Sequence, residues 1–492
     1  MAIKKYYATK DNTITNAFES NLQTRATDAN MGLSDILETF SIYGQATSGS
    51  TELERILIQF PVNEISADRS NGLIPNSGNI NFYLNLYNAP NNQTTPRELT
   101  LAILPVSASW QEGTGLDMID YKDLATVGNG SSWNSSSYGV SWTRPGGDYH
   151  SSPSFSQTFP IGDENLRINI TNLVEEWIAG TKDNYGIGIH LTSSQEAYFS
   201  NSAGTDVGSQ LFNPDGARDS YYTKKFFGRG SEFFFKRPTI EAVWDSSVKD
   251  DRGDFYAQSA LLPTEDNIRT IYLYNAVGGR LRNIPSVDTG QIYVQVYSSA
   301  SAGLLLTPTV ITGGHVSTGI YSASFSLDTT QEKVHDRWFN TGLATCYHTG
   351  TINIKSHGAS AYNPYPNYVT NLTNMRPTYY THETNRFRFY VRQKDWSPTI
   401  YTVASTKNDT LVIQSGSYQI HRITDNFLAI PYSTGSDRGT EMSFDVSGNY
   451  FDLSMDLLEP GYSYGIKIAY YEESVNSYIE QPYVWKFRVE EV

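Results

Sequence analysis

Apolar and polar residues alternate along many short stretches of this chain. The segments 80–86, 185–191 and 291–297 are clear examples, because every second residue in each of them is apolar. Side chains of a β-strand point alternately to the two faces of a sheet, so a period of two is typical of strands with one buried face. Gly, Asn, Ser and Pro bound these stretches and supply the turns between strands. The pattern predicts an all-β protein.

Helical periodicity is clear in one stretch, residues 170–178. Four apolar side chains would share one face of that helix: Leu173, Val174, Trp177 and Ile178. Thr171 or Asn172 would cap its start, since short polar side chains accept hydrogen bonds from the first free backbone N–H groups. We interpret this segment as a single helical crossover within a β domain.

Two composition changes suggest domain boundaries. A charged stretch at 247–254 follows a strand-like segment, which favours a solvated linker there. Several prolines interrupt regular strand pairing at 362–378. These breaks predict three domains, which span residues 1–248, 249–370 and 371–492.

The last predicted domain carries a specific signal. A Leu-x-Pro turn at 458–464 ends in Tyr464, which enters a strand-like segment at 465–470. This arrangement is typical of the tyrosine corner of a Greek-key sandwich, in which the Tyr464 hydroxyl would form a hydrogen bond with the backbone. The segment resembles fibronectin type III and immunoglobulin-like domains. A weaker similarity between 319–327 and 448–455 suggests that the middle domain has the same kind of fold.

Composition and charge remove several function classes. The chain has 36 Lys and Arg against 51 Asp and Glu, a formal net charge of −15. An acidic surface repels phosphates and anionic lipids, so we expect no nucleic-acid partner and no membrane insertion. Cys346 is the only cysteine, which excludes an internal disulfide. No signal-peptide pattern follows the first residues, so we expect synthesis in a cytoplasm.

Carboxylates are most concentrated in the loop at 110–123. They are Glu112, Asp117, Asp120 and Asp123. Such oxygens could bind calcium, or two of them could act as the acid and base of a glycoside hydrolase. The competing interpretation is a solvated, turn-rich loop, because Asp and Gly are ordinary turn residues. The histidines have no metal-ligand spacing, so we assign no catalytic, metal-binding or cofactor-binding residue, and calcium stays an open alternative.

Aromatic residues follow this loop closely. Exposed aromatic rings can stack on the C–H faces of sugars, so Trp133, Trp142 and Tyr149 are candidate glycan contacts. Tryptophan is also a large core residue that is usually buried. That second interpretation predicts a core position for four residues: Trp110, Trp142, Trp177 and Trp244.

Spaced short motifs in the first half of the chain resemble DNRLRE-type modules. The matching segments are 55–60, 81–87, 109–113, 139–142, 168–177, 184–189 and 237–241. This resemblance implies a jelly-roll β-sandwich of the kind found in surface and carbohydrate-associated proteins, some of which bind alginate. No sugar-contacting residue of that family can be carried over. The expected architecture is an N-terminal jelly roll followed by two immunoglobulin/fibronectin-III-like sandwiches.

The whole chain is similar to structural proteins of tailed marine bacteriophages, in which such a jelly roll precedes Ig-like domains. The segments 420–426 and 448–453 carry this resemblance. It implies a non-enzymatic virion protein made in the host cytoplasm, peripheral in the tail, neck or baseplate rather than in the head. Its expected partners are other virion proteins, further copies of itself and a host-surface glycan. The alternative is a carbohydrate-binding adhesin or a glycan-degrading enzyme that uses residues 110–150.

Overall fold

The computed structural model of this chain divides into two compact units. They are an N-terminal unit, Ile3–Trp244, and a C-terminal unit, Asp245–Val492. Nearly all regular structure in both is β, which confirms the predicted all-β class. The structure describes residues 2–44, 51–91, 97–116, 120–125, 129–301, 303–355, 367–397 and 410–491.

The N-terminal unit is built from two packed sheets. Its strands are β1 (Ile3–Tyr7), β2 (Lys10–Thr15), β3 (Ile36–Ile42), β4 (Glu52–Gln59), β5 (Asn81–Leu86), β6 (Leu99–Pro105), β7 (Ser135–Ser137), β8 (Val140–Ser141), β9 (Phe155–Phe159), β10 (Leu166–Asn169), β11 (Ile187–Leu191), β12 (Tyr221–Phe227) and β13 (Thr239–Val243). One sheet has the order β1-β13-β5-β10, and the other has the order β12-β3-β4-β11-β6-β9 with β2 beside β4. Strands β7 and β8 form a separate hairpin.

The inner faces of these two sheets share one hydrophobic core. Phe82 and Ile240 enter it from the four-stranded sheet, and Ile58 and Ile189 enter it from the larger sheet. These residues lie on the apolar positions of the alternating pattern, so the period of two places them on the buried faces. The predicted sandwich character of this part of the chain is confirmed.

Two α-helices lie in the described part of this unit, α1 (Val62–Ser70) and α2 (Thr171–Ala179). Helix α2 is the predicted helix, and three of the four expected apolar residues are buried on it: Leu173, Val174 and Trp177. The predicted cap is wrong, because Ile170 occupies the N-cap position and the Asn169 side chain, two residues before Thr171, accepts the Thr171 N–H (2.9 Å). Helix α1 had no clear apolar stripe in the sequence, and the paired Arg69 and Glu175 side chains join it to α2 (2.6 Å).

The C-terminal unit contains all the remaining strands. They are β14 (Phe255–Tyr256), β15 (Arg269–Tyr274), β16 (Ala276–Val277), β17 (Arg280–Leu281), β18 (Gln291–Tyr297), β19 (Ile311–Ser317), β20 (Ile320–Phe325), β21 (Lys333–Phe339), β22 (Cys346–Thr349), β23 (Ile352–Lys355), β24 (Tyr368–Leu372), β25 (Thr378–Tyr380), β26 (Thr384–Gln393), β27 (Gly416–Arg422), β28 (Leu428–Ile430), β29 (Ser443–Asp445), β30 (Gly448–Ser454), β31 (Ser463–Glu472), β32 (Ser477–Glu480) and β33 (Trp485–Glu490). Short 3₁₀ turns lie at Asp251–Gly253, Glu265–Asn267 and Met455–Leu457 in this unit, and at Phe234–Lys236 in the N-terminal unit.

Strands β24 to β33 form a sandwich of the immunoglobulin type, which we call the last sandwich. Its two sheets have the orders β24-β26-β30-β29 and β25-β33-β31-β27-β28, with β32 beside β31. These orders match the ABED and CFG sheets of that fold. The Tyr464 hydroxyl donates to the backbone carbonyl of Glu459 at 2.7 Å, which confirms the predicted tyrosine corner.

Strands β14, β15 and β18 to β23 form the middle sandwich. They follow one continuous path, β14-β23-β21-β18-β19-β20-β15, with β22 beside β21. Strands from both ends of the path contribute to one core, for example Ile271 of β15 and Ile352 of β23. The predicted boundary after residue 370 falls within β24, and both sandwiches belong to one compact unit.

The charged stretch 247–254 is not the solvated linker that its composition predicted. Val248 and Asp250 in this stretch are buried, with 8% and 5% of their surfaces exposed. The physical reason is backbone pairing: a parallel bridge joins Lys249 to Phe444 in β29. Charge alone does not keep a segment in water when its neighbours supply hydrogen bonds and counter-ions.

Candidate functional site

The candidate site in the N-terminal unit begins with a buried arginine on β4. Along this strand, Ile56 and Ile58 face the main core, whereas Arg55 faces a second layer built from loops. The Arg55 guanidinium is 7% exposed and donates two hydrogen bonds to the Glu196 carboxylate, at 2.9 and 2.8 Å. Its remaining Nη1 donates to the carbonyl of Gly146 at 3.1 Å. A buried charge needs such a partner, because desolvation otherwise costs several kcal/mol.

A set of aromatic residues packs around this ion pair, and we call it the aromatic loop layer. Its members are Trp110, Trp133, Trp142 and Tyr149. The Arg55 guanidinium lies 5.5 Å from the Trp133 ring centroid and 5.8 Å from that of Tyr149, a cation–π geometry. The layer therefore combines a fixed charge with large apolar rings.

The indole N–H groups of this layer are all used inside the protein. Trp133 donates to the carbonyl of Ser209 at 2.8 Å, and Trp142 donates to that of Ser132 at 2.9 Å. Trp110 donates to the Tyr185 carbonyl at 2.7 Å. A buried indole that finds its hydrogen-bond partner in the protein is a packing element that fixes loop positions.

This packing decides between the two interpretations of the tryptophans. Trp133 is fully buried and Trp142 is 5% exposed, so neither ring offers a face on which a sugar could stack. Tyr149 donates its hydroxyl to the Gly146 carbonyl at 2.8 Å, and burial raises its pKa to about 12. Trp133 and Trp142 thus belong to a core, and Tyr149 packs against that core as a partly buried residue. The predicted core positions are confirmed for all four residues: Trp110, Trp142, Trp177 and Trp244.

The β7–β8 hairpin lies next to the aromatic loop layer in the chain and carries exposed apolar residues. Tyr138 is 61% exposed and Val140 is 54% exposed, and Gly139 between them has a positive φ of 74°. A turn with positive φ favours glycine, so the Tyr-Gly pair was the sequence signal for this tip. Tyr138 is not among the candidate glycan contacts that the sequence predicts. The hairpin tip is the surface that the aromatic loop layer holds in place.

The carboxylate-rich loop at 110–123 is organised around Asn30. Its Nδ2 donates to the Glu112 carbonyl (2.7 Å), and its Oδ1 accepts the Gly115 N–H (2.8 Å). A Cβ on Gly113 would lie 2.3 Å from the Asn30 side chain, so only glycine fits there. Glycine at this position thus allows the loop backbone to lie close to the Asn30 side chain.

The carboxylates of that loop have structural partners. Glu112 accepts the Asp11 backbone N–H at 2.9 Å and the Arg229 guanidinium at 3.0 Å. Asp120 pairs with Lys122, and Asp123 accepts a backbone N–H from Leu116. Asp117 lies outside the described residues. Across the described ranges, no group of three or more His, Cys, Asp or Glu side chains is arranged to hold a metal ion.

Burial shifts the titration of two groups near this site. The pKa of Asp11 rises to about 7, mainly because its carboxyl group is desolvated, while the Arg229 N–H that it accepts opposes the rise. The pKa of His190 falls to about 4, because burial and the nearby Arg55 charge both disfavour a second proton. His190 is therefore neutral at pH 7, and its Nδ1 lies 2.6 Å from the Leu191 carbonyl.

The arrangement suits a rigid support for surface loops. Its charged and aromatic groups bond to one another and to backbone carbonyls, which fixes their positions. Within the described residues, no helix has the length and apolar character needed to cross a bilayer.

No protein-family model matches this chain, and no curated protein is significantly similar to it. The resemblance to DNRLRE-type jelly rolls and to phage structural proteins therefore depends on the short motifs of the sequence. The function has to be argued from the geometry of the chain together with that resemblance.

Proposed function

We propose that this chain is a non-enzymatic structural protein of a tailed-bacteriophage particle. In this proposal it is a peripheral accessory of the tail, neck or baseplate that docks onto other virion proteins and contacts the host surface. Copies of the chain would assemble symmetrically, so that many weak contacts add through their high effective concentration. A glycan is the host-surface ligand that the motif resemblance favours.

The observation that carries this proposal is that the polar groups in and around the aromatic loop layer form hydrogen bonds within the protein. Arg55 and Glu196 satisfy each other, and the three indole N–H groups bond to carbonyls. The three indole rings are buried, and Tyr138 and Val140 are exposed at the tip of the β7–β8 hairpin. A fixed layer beneath an exposed tip is what a contact module needs, because little conformational entropy is lost on binding.

The hairpin tip gives the proposed host contact a specific location. Tyr138 has an exposed ring that can stack on a sugar, and Ser137 lies beside it in the chain. Trp142 fixes the base of this hairpin, because its backbone N–H donates to the Asn134 carbonyl (3.0 Å) and its indole N–H donates to the Ser132 carbonyl (2.9 Å). The glycan contact is therefore assigned to Tyr138, and the buried tryptophans act through stability.

Immunogold electron microscopy tests the place of the chain in the particle. Virions are purified from cells that produce this protein and are labelled with an antibody against residues 245–492. We expect gold particles at the tail, neck or baseplate, with none on virions treated with pre-immune serum. Gold spread evenly over the head would contradict the peripheral position, and unlabelled virions would contradict the proposal as a whole.

A further inference from the structure

The segment 248–254 precedes β14 in the chain and contacts both sandwiches of the C-terminal unit, and we call it the strap. Its first half pairs with the last sandwich. The Phe444 N–H in β29 donates to the Val248 carbonyl (2.9 Å), and the Asp250 N–H donates to the Phe444 carbonyl (3.1 Å). Lys249 adds an ion pair of 2.6 Å to Glu441, whose side chain is buried. The strap thus adds a single parallel β-bridge, Lys249 to Phe444, to the edge of the β24-β26-β30-β29 sheet.

The second half of the strap is fixed in the middle sandwich. Asp251 accepts the Thr270 N–H of edge strand β15 at 2.7 Å. Arg252 donates two hydrogen bonds to Asp336 on β21, at 2.6 and 2.8 Å. The Asp336 side chain is fully buried and also accepts the Trp338 indole N–H at 2.7 Å. Arg252 therefore neutralises a carboxylate inside the middle core.

The strap also packs closely against the turn between β29 and β30. A Cβ on Gly253 would lie 2.8 Å from the Cα of Val446, so no larger residue fits without a backbone shift. Consecutive residues thus contact different sandwiches: Arg252 enters the middle one, and Gly253 lies against the last one. A movement of one sandwich relative to the other would have to break contacts on one side of this segment.

We infer that the strap makes the middle and last sandwiches one cooperative body. Both sets of contacts lie within seven consecutive residues, so opening one half removes the support of the other half. The predicted solvated linker would instead allow each sandwich to open independently. This coupling is independent of what the chain attaches to, and so it can fail without affecting the proposed function.

Hydrogen exchange of the full-length chain, read by mass spectrometry, tests this coupling in Arg252→Ala. The substitution removes contacts in the middle sandwich only. We expect exchange to be at least about tenfold faster in peptides that cover β15 and β21, and also in peptides that cover β29, although the Arg252 guanidinium pairs with Asp336 of β21. Arg488→Ala is the matched control, because it removes an exposed pair with Glu490 in the same unit and should change neither region.

Lys249→Ala provides the reciprocal test if Arg252→Ala does not fold. Lys249 pairs with the last sandwich, so coupling predicts faster exchange in β15 as well as in β29. The inference is overturned if each variant speeds exchange only in the sandwich whose contact it removes. It is supported if either variant loosens both sandwiches together.

Discussion

Replacing Glu196 with Gln should strongly destabilise the N-terminal unit. The Arg55 guanidinium would keep its buried position but lose the carboxylate that neutralises it. Removing one partner of a buried, hydrogen-bonded ion pair costs about 3–5 kcal/mol, because the other charge stays desolvated. For a unit of this size that corresponds to a fall in Tm on the order of 10 °C.

Urea unfolding of the full-length chain, followed by tryptophan fluorescence, measures this effect. Asp206→Asn is the matched control, because Asp206 makes a bidentate pair with Arg144 in the same unit but at the surface. An exposed pair contributes at most about 1 kcal/mol, so the control should shift the transition only slightly. Equal, small shifts for both variants would refute the argument that Arg55 and Glu196 hold the aromatic loop layer together.

Four further substitutions probe other features of the account. Burial raises the pKa of Glu54 well above its usual range, and the Glu38 charge adds to the rise. The folded state therefore keeps the Glu54 carboxyl protonated at pH values where the unfolded state, above about pH 4.3, has released this proton. The advantage of Glu54→Gln over the wild type should consequently grow as pH rises from 4 to 8 in urea unfolding, and a constant difference would contradict this. Trp133→Ala should lower the free energy of unfolding by about 3–5 kcal/mol. Tyr138→Ala should leave the free energy of unfolding unchanged and weaken retention on a glycan array. The opposite pattern would indicate that Trp133, and not Tyr138, contacts the glycan. Tyr464→Phe removes the hydroxyl of the tyrosine corner and should lower the stability of the last sandwich by about 0.5–1.5 kcal/mol in thermal unfolding, and no change would show that this bond is not stabilising.

Local patterns predicted the features that depend on neighbouring residues. The period of two gave the strands, and the apolar face at Leu173, Val174 and Trp177 gave helix α2. The Tyr464 corner was also predictable, because its acceptor, the Glu459 carbonyl, lies five residues away in the chain. Short sequence separation allows such features to be identified from composition and spacing.

Long-range pairings could not be predicted in the same way. Glu196 lies 141 residues after Arg55, and Asp336 lies 84 residues after Arg252. In the sequence both arginines look like ordinary surface charges, and only the fold places a carboxylate opposite each of them. The same limitation explains why Trp142 had two interpretations, since an aromatic loop residue can face water or a second core.

Quantitative mass spectrometry of virions purified on a density gradient tests the central claim most directly. The account predicts that peptides of this chain sediment with the major head protein, at a constant ratio between the two across the particle peak and after a second gradient. Recovery of the chain only in the soluble fractions, with none in the particle peak, would contradict it.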